Sequence, residues 1–534
     1  MRRTLLLVLS LMLTAPQSRA EEAEALAGRA FEGAQWVLAT QAARAVAQVG
    51  VRAAAGDGPL GTRIRARQAA EADLARLTRA LADPGANADS TRAEIRRLSD
   101  EVEALDAEIR RDFPDYAEMA SPRPLSYAEV QALLAPGEAL LLILSSNAAT
   151  YVWAVSPDAT AWHRSDMGAA EVEAAVRALR ADLDPTGPSR GAAALEDDTP
   201  AEAAFDTGTA HALYAALIAP VAGALGGADS LFVVKDGPLS SLPLSVLLTA
   251  PHNGPLAEAP WLARRYATTT LPAVASLGSI RAGIAAAPRV PRFAGFGDPV
   301  FGGAEAPLQV ASRSIGDFFG DTGTQLDAIR QLPSLPGTAR ELRRIAQLFP
   351  GAAELRLGPE ASEASVKAAD LTGVTVLSFA THGLITGDIS GLAEPALAFT
   401  PPKVACAADD GLLTASEASA LTLDADWVIL SACNTAAGDG TPGAEGLSGL
   451  ARAFLFAGAR AILVSHWPVR DDVAARLTAD TLARLAEDPG LGRAEALRRA
   501  TLALMADGVD PSLAHPSAWA PFVVVGEGGA PRGG

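Results

Sequence analysis

Apolar runs alternate with helical segments through the last third of the chain, and this alternation constrains the fold more than any other feature. Runs short enough for single strands lie at 374–380, 426–432 and 461–465, and a last strand is predicted at 522–525. Helices are predicted at 446–456 and 472–487. Strands that are apolar throughout are typical of a parallel sheet covered on both faces. The sequence therefore predicts an α/β fold, a mostly parallel sheet flanked by helices.

The middle of the chain continues this pattern. Two apolar, β-branched runs joined by a Ser-Ser-Asn turn predict a hairpin of strands at 139–144 and 150–155. Further strands are predicted at 230–234 and 293–296, and further helices at 168–183, 210–224, 337–349 and 363–369.

The segment 21–118 has a different, Ala-rich composition that predicts helices. Amphipathic stretches run over 24–55, 62–81 and 90–111. The Asp-Pro-Gly sequence at 83–85 separates the second stretch from the third, which predicts a helical hairpin after a lead helix. No 34-residue period is found, so a tetratricopeptide array is not predicted. A change of composition at 114–124 marks the expected end of this region.

The first twenty residues have the pattern of a secretory signal peptide. Arg2 and Arg3 precede an apolar run at 5–13, and Ala20 ends a plausible cleavage sequence before Glu21. The run is short for a membrane span, although a retained anchor is the alternative interpretation. We expect an exported protein, secreted or periplasmic, without a membrane segment after cleavage.

The net charge argues against nucleic acid and anionic lipid as partners. The chain has 44 Lys and Arg against 62 Asp and Glu, a formal charge of −18. Nucleic-acid binding needs a basic surface, and docking on anionic lipid needs basic clusters, so neither is expected. The motifs of common metal sites and of phosphate-binding loops are also missing, so we expect no metal and no cofactor.

The chain contains two cysteines, Cys406 and Cys433. Two thiols cannot form a disulfide framework or a four-cysteine zinc site. Three interpretations remain: a disulfide between the two residues, packing in the core, or one reactive thiol.

Polar residues follow three of the predicted strands where each ends. His382 comes after the run at 374–380, Cys433 after that at 426–432, and Asp471 six residues after that at 461–465. Ligands of open parallel sheets bind beyond the carboxyl ends of strands. If the strands are neighbours, the His382 imidazole can deprotonate the Cys433 thiol. The backbone N–H groups of Gly383 and Cys433 can then hold an oxyanion.

Each of these residues also has a purely structural interpretation. His382 can simply satisfy loop carbonyl groups, and Cys433 can be a small core residue. Asp471 can be the N-cap of a helix that begins at Asp472.

Several segments taken in order resemble the CHAT domain, a caspase-like family related to separase. They are Phe-Ala-Thr-His-Gly at 379–383, Leu-Ser-Ala-Cys-Asn-Thr at 430–435, Gly-Ala-Glu-Gly-Leu at 443–447, Phe-Leu-Phe-Ala-Gly-Ala at 454–459, Trp-Pro-Val-Arg-Asp at 467–471 and the segment 515–522. Earlier segments at 124–138 and 236–244 also resemble the family, so the resemblance covers about 122–526. The family often carries tetratricopeptide repeats, where this chain has one helical region.

The resemblance implies a division of the 534 residues into four parts. A signal peptide at 1–20 and the helical region at 21–118 precede a non-catalytic caspase-like half at 119–300. The catalytic caspase-like half then occupies 301–534.

The resemblance also implies a cysteine endopeptidase. It assigns Cys433 as the nucleophile, His382 as the general base and acid, and Gly383 as an oxyanion donor. Asp471 occupies the position of the acid with which separase-like members bind a basic P1 side chain, and a carboxylate suits a guanidinium. Asp439 is the second candidate for that role.

The expected partner is a protein or peptide substrate, and a second protein could bind the N-terminal helices. The main alternative is a catalytically silent interaction module of the same fold. Non-proteolytic cysteine chemistry, such as acyl transfer or amide hydrolysis, is a third interpretation.

Overall fold

A computed structural model describes most of the chain. The described residues are 24–38, positions 63, 66, 67, 70 and 77, and 88–112, 123–184, 205–282, 290–302, 325–384, 389, 392, 394–406, 409–431 and 449–530.

The described helices number fifteen. In chain order, α1 to α15 span 24–37, Ala88–Asp112, Tyr127–Leu133, Ala169–Leu183, Thr207–Leu217, Leu262–Arg265, Ala275–Ala282, Gln325–Arg330, Pro336–Ala346, Glu363–Ala368, Ala415–Ser419, Gly449–Ala457, Asp471–Glu487, Arg493–Met505 and Pro516–Trp519. Fourteen strands are described as well. They are β1 to β14, at Glu138–Ser145, Thr150–Val155, Thr160–Ser165, Ser230–Lys235, Ala267–Thr270, Phe293–Gly297, Ala353–Leu357, Val376–Ala380, Gly383–Leu384, Ala396–Ala398, Leu412–Thr414, Trp427–Leu430, Ala461–Ser465 and Phe522–Gly526.

Eleven strands form one mixed sheet in the order β3-β2-β1-β4-β5-β14-β13-β12-β8-β6-β7. The five strands from β13 to β7 are parallel to one another, and so are the four from β1 to β14. The two blocks run in opposite directions because β13 and β14 pair antiparallel. The predicted α/β fold, a mostly parallel sheet flanked by helices, is confirmed.

Apolar side chains on both faces explain why the central strands are apolar throughout. Along β12, Ile429 packs into the core cluster on one face, and Val428 and Leu430 pack into the cluster on the other. Helices α4, α9 and α13 contribute to the first cluster, and α12 contributes to the second. Since successive side chains of a strand point to opposite faces, burial on both sides favours apolar residues at almost every position.

Phe379 lies among three other aromatic rings of the second cluster. Its ring is fully buried, and its centroid lies 5.5 Å from that of Phe296, 6.1 Å from Phe399 and 5.1 Å from Phe454. We predict that Phe379→Ala lowers the free energy of unfolding by about 3–5 kcal/mol, because the cavity cannot close fully. Denaturant unfolding would measure this. Val509→Ala is the control, since Val509 is 92% exposed, and a comparable loss there would contradict the prediction.

The predicted hairpin is confirmed as β1 and β2, and the predicted strands at 230–234 and 293–296 are β4 and β6. The helix predicted at 210–224 is interrupted. It ends at Leu217, and a 3₁₀ turn follows at Ala219–Leu225, because Pro220 has no N–H to donate within a helix. Strands β3, β5 and β7 were not predicted. The strand β6 lies before residue 300 and pairs with β7 and β8 beyond it.

The N-terminal helix packs on the α/β part. Phe31 of α1 is fully buried, and its ring centroid is 4.8 Å from that of Tyr127 and 6.4 Å from Trp153. The helix predicted at 90–111 is confirmed as α2. The predicted signal peptide at 1–20 lies outside the described residues. Of the helices predicted at 24–55 and 62–81, the structure describes residues 24–38 and five single positions.

Within the described ranges, no single helix has both the length and the apolar composition needed to cross a membrane. The pair formed by α5 and the turn Ala219–Leu225 meets those criteria together, with a bend of 63° between them.

Candidate active site

Strands β8, β12 and β13 are adjacent and parallel, as the argument about their polar ends requires. Val376 pairs with Trp427 and Phe379 with Leu430, while Val428 pairs with Ile462. The carboxyl ends of the three strands therefore meet at one edge of the sheet. This edge carries His382 after β8, Ser431 after β12 and His466 after β13.

His382 is fully buried at this edge, and its contacts orient the ring. Its Nε2 lies 2.8 Å from the backbone oxygen of Pro333. A carbonyl oxygen can only accept, so Nε2 carries the proton and Nδ1 is the basic nitrogen of the neutral ring. The ring centroid is 5.6 Å from that of Phe301. The Nε2 atom of His382 therefore contacts a loop carbonyl group, as the structural interpretation of this residue expects. The same hydrogen bond sets the tautomer of the ring.

The backbone around His382 is fixed by a second, three-stranded sheet. Gly383 pairs with Leu397, and the backbone oxygen of His382 accepts a hydrogen bond of 3.0 Å from Ala398 N. The hydroxyl of Thr381 donates to the backbone oxygen of Ala398. Gly383 thus begins strand β9 directly after the imidazole.

Ser431 is the last described residue before Cys433, and it is fully buried. Its backbone N donates to the oxygen of Phe379 over 2.9 Å, and its Oγ donates to Glu341 Oε2 over 3.2 Å. Glu341 Oε1 accepts a hydrogen bond of 2.7 Å from Thr478 Oγ1 on α13. The strand end that leads to Cys433 is thereby joined to the helices α9 and α13.

The end of β13 is basic and buried. His466 lies in the core, and burial, followed by the charges of Lys235 and Arg180, holds its pKa well below its ordinary value. Arg180 donates from Nη1 to the backbone oxygen of His466 over 2.8 Å. His466 is therefore neutral at pH 7.

Cys433 and Asp439 lie outside the described residues, and so does the side chain of Asp471. The backbone of Asp471 begins α13, and Arg470 is the residue before the helix. The interpretation of Asp471 as the N-cap was therefore wrong by one residue, because Asp471 already has helical backbone. Arg470 instead forms ion pairs with Asp472 and Asp510, at 2.8 and 3.2 Å.

Cys406 is a free, exposed thiol. It lies in a turn closed by its hydrogen bonds with Asp409, at 2.9 and 3.1 Å. The structure forms no disulfide at Cys406, so that interpretation of the two cysteines was wrong.

Sequence reasoning missed Pro333, Glu341 and Thr478, which support the site from other elements. One signal was present for Glu341. It lies within the predicted helix at 337–349, one residue before Leu342 and four before Ile345, which are both fully buried. A carboxylate on the buried face of a helix indicates a specific polar contact. Among the described residues, no group of three or more His, Cys, Asp or Glu could hold a metal ion.

The sheet and its polar edge define an α/β protein with a candidate site at the carboxyl ends of parallel strands. A family model of the CHAT domain matches residues 207–527, more than half of the chain. The protein therefore belongs to the CHAT domain family.

Among curated proteins, the chain is similar to tetratricopeptide repeat protein 28 of Mus musculus, with 28% identity over 360 residues. The match covers 59% of this chain and 13% of that relative. Among solved structures, the separase–securin complex of Saccharomyces cerevisiae is similar, with a TM-score of 0.42 and 11% identity over 83% of this chain and 34% of that one. The Arg-specific cysteine proteinase gingipain R has a TM-score of 0.35 and 11% identity, over 61% of this chain and 67% of its own.

Proposed function

We propose that the protein is a cysteine endopeptidase with Cys433 as the nucleophile and His382 as the general base and acid. One observation carries the proposal, the register of β8 and β12. Phe379 pairs with Leu430 in two adjacent parallel strands, and His382 and Cys433 each follow three residues later in the sequence. Cys433 is two residues after the buried Ser431, so two Cα–Cα distances of about 3.8 Å each limit how far apart the two residues can lie.

The orientation of the imidazole supports the same chemistry. Since Nε2 donates to the oxygen of Pro333, Nδ1 is the nitrogen that accepts the thiol proton. The thiolate of Cys433 then attacks the scissile carbonyl carbon, and the N–H groups of Gly383 and Cys433 stabilise the oxyanion. The imidazolium of His382 gives its proton to the leaving amine, which leaves a thioester.

Hydrolysis of the thioester completes the reaction. His382 takes a proton from a water molecule as the water oxygen attacks the thioester carbon, and that proton then goes to the Cys433 sulfur as the carboxylic acid product leaves and loses its own proton to solvent. The chain supplies every group that these steps need. No metal or cofactor takes part in this scheme.

The direct test is a screen of internally quenched peptides with the purified protein, with and without a thiol reductant. We expect cleavage that needs the reductant, with cut sites identified by mass spectrometry. A protein with intact fold and reduced Cys433 that cuts no peptide would contradict the proposal.

For specificity, we propose that Asp471 binds a basic P1 side chain. Asp471 begins α13 directly after the candidate edge, and a carboxylate there can hold a guanidinium or ammonium group. We predict that Asp471→Asn lowers kcat/KM for Arg and Lys peptides by about 10²-fold or more, because the charged P1 group loses its ion-pair partner.

The control for this test is Asp472→Asn, which removes the adjacent carboxylate that pairs with Arg470 at the surface. That variant should keep the preference. If the preference survives Asp471→Asn and disappears in Asp439→Asn, the pocket assignment to Asp471 is wrong and Asp439 takes its place.

We also propose that residues 1–20 direct export to the periplasm or the medium. The charged start, the apolar run and the small residue at position 20 support this. The N-terminal sequence of the mature protein from a fractionated culture tests it, and a cytoplasmic protein that begins at Met1 would contradict it.

A second candidate function is a silent module that binds another protein through its N-terminal helix. While Phe31 of α1 is buried, Leu26, Trp36 and Val37 are 60%, 66% and 70% exposed. Large exposed apolar side chains on one helix can mark an interaction surface. Labelling of Cys433 by a peptide with a thiol-reactive group separates the two candidates, because the silent module should not react.

A further inference from the structure

Helix α9 contacts the ends of three neighbouring strands. Before its first turn, the oxygen of Pro333 accepts from His382 Nε2, beyond β8. In its first turn, the hydroxyl of Thr338 accepts a hydrogen bond of 2.9 Å from Asp298 N, beyond β6. In its second turn, Glu341 accepts from Ser431, beyond β12. The segment 333–341, which leads into α9 and includes its first residues, therefore contacts residues beyond β6, β8 and β12.

Glu341 is the unusual member of this set. Its side chain is 1% exposed, in a helix whose neighbouring residues Leu342 and Ile345 belong to the core. A carboxylate without hydrogen bonds is very unfavourable in such surroundings. Among its contacts, Glu341 accepts from two buried hydroxyl groups, that of Ser431 at Oε2 and that of Thr478 at Oε1.

We propose that Glu341 is a positioning residue that holds the strand end carrying Cys433 in register with His382. The inference rests on the proposed function. It gives this part of the chain a role beyond packing: Pro333, just before α9, orients the imidazole, and Glu341 of α9 fixes the nucleophile's strand. Thr478 is the second support, because it joins the same carboxylate to α13.

We expect the contacts of Glu341 to affect the reaction rate as well as the stability of the fold. The reacting sulfur and nitrogen belong to residues that follow different strands in the sequence, so we expect their separation to depend on how those strand ends are held. A displacement of about 1 Å between reacting groups can lower a rate by about 10²-fold. Loss of the Glu341 carboxylate should therefore lower kcat more than it raises KM.

Four variants of the full chain test the proposal. Glu341→Ala removes both contacts, whereas Glu341→Gln keeps an oxygen that accepts and an amino group that can donate to a hydroxyl oxygen. Thr478→Val removes one support. Thr481→Val is the matched control. Thr481 is also fully buried on α13 and donates to the backbone oxygen four residues before it, as Thr478 does, but no hydrogen bond joins it to Glu341.

We expect Glu341→Ala to lower kcat on a cleaved peptide by about 10-fold or more, with KM changed by less than about 3-fold. Glu341→Gln should regain most of the activity. Thr478→Val should lower kcat by a few-fold, and Thr481→Val should leave kcat unchanged even where both valine variants melt at a lower temperature. Wild-type kcat in Glu341→Ala, or equal losses in the two valine variants, would overturn the proposal.

A second readout separates this inference from the proposed function. The rate constant for alkylation of Cys433 by iodoacetamide is measured for each variant in a Cys406→Ser background. If the wild type cleaves no peptide, the proposed function fails. The positioning role is then supported if Glu341→Ala changes this rate and Thr481→Val does not, and overturned if all rates agree. If Glu341→Ala does not fold, the comparison of Thr478→Val with Thr481→Val decides.

Discussion

Replacement of Cys433 by alanine is expected to abolish peptide cleavage. The variant has no nucleophile to form the thioester, so kcat/KM should fall by about 10⁴-fold or more, to the level of whatever binding and oxyanion stabilisation remain. The fold should be little affected, because the substitution removes a single heavy atom, the sulfur. Cleavage rates of one peptide, with active protein counted by titration, measure the effect.

The matched control is Cys406→Ser. Cys406 is exposed and free, in a turn whose hydrogen bonds to Asp409 come from the backbone. Full activity in that variant, together with loss in Cys433→Ala, assigns the chemistry to one of the two cysteines. Equal cleavage by wild type and Cys433→Ala would remove the basis of the proposed function.

Replacement of His382 by alanine is the second large expected effect. Without Nδ1 no group accepts the thiol proton or protonates the leaving amine, so kcat should fall by about 10²–10⁴-fold. The oxygen of Pro333 also loses its donor, which leaves a buried acceptor unsatisfied and should lower the melting temperature.

His211→Ala is the control for the stability part of this result. His211 Nδ1 also contacts a backbone oxygen, that of Leu248, at 3.1 Å, but it belongs to α5 beside the other parallel block. It should change stability without changing kcat. Normal turnover in a folded His382→Ala protein would contradict the role given to His382.

Much of the fold could be predicted from the sequence, because its central strands carry a strong local signal. The run that forms β8 is apolar at almost every position, since both faces of that strand are buried. Strand β3 lies at the edge of the sheet and contains His163 and Arg164, so it lacks that signal. Strand β5 consists of one alanine and three threonines, a run that is buried at alternate positions only.

The same distinction between local and distant signals holds for the candidate site. His382 and Gly383 were predicted as site residues because they follow a recognisable strand, and that role stays a prediction. The adjacency of β8 and β12, which the prediction assumed, is confirmed. The contacts of His382 with Pro333, of Glu341 with Ser431 and of Glu341 with Thr478 join residues 49, 90 and 137 positions apart. No local pattern encodes such contacts, because they depend on how the helices pack on the sheet.

The pH dependence of Cys433 alkylation tests the central claim, that His382 and Cys433 act as a pair, most directly. The experiment needs no knowledge of the substrate. Iodoacetamide rates are measured from pH 5 to 10 in a Cys406→Ser background, with His382 present and with His382→Ala. A thiol beside an imidazolium forms its thiolate at lower pH than an ordinary thiol, whose pKa is about 8.5. We predict an apparent pKa for Cys433 about one unit or more below that value, and its return to about 8.5 in His382→Ala. Two superimposable profiles from folded proteins would contradict the pairing of His382 with Cys433.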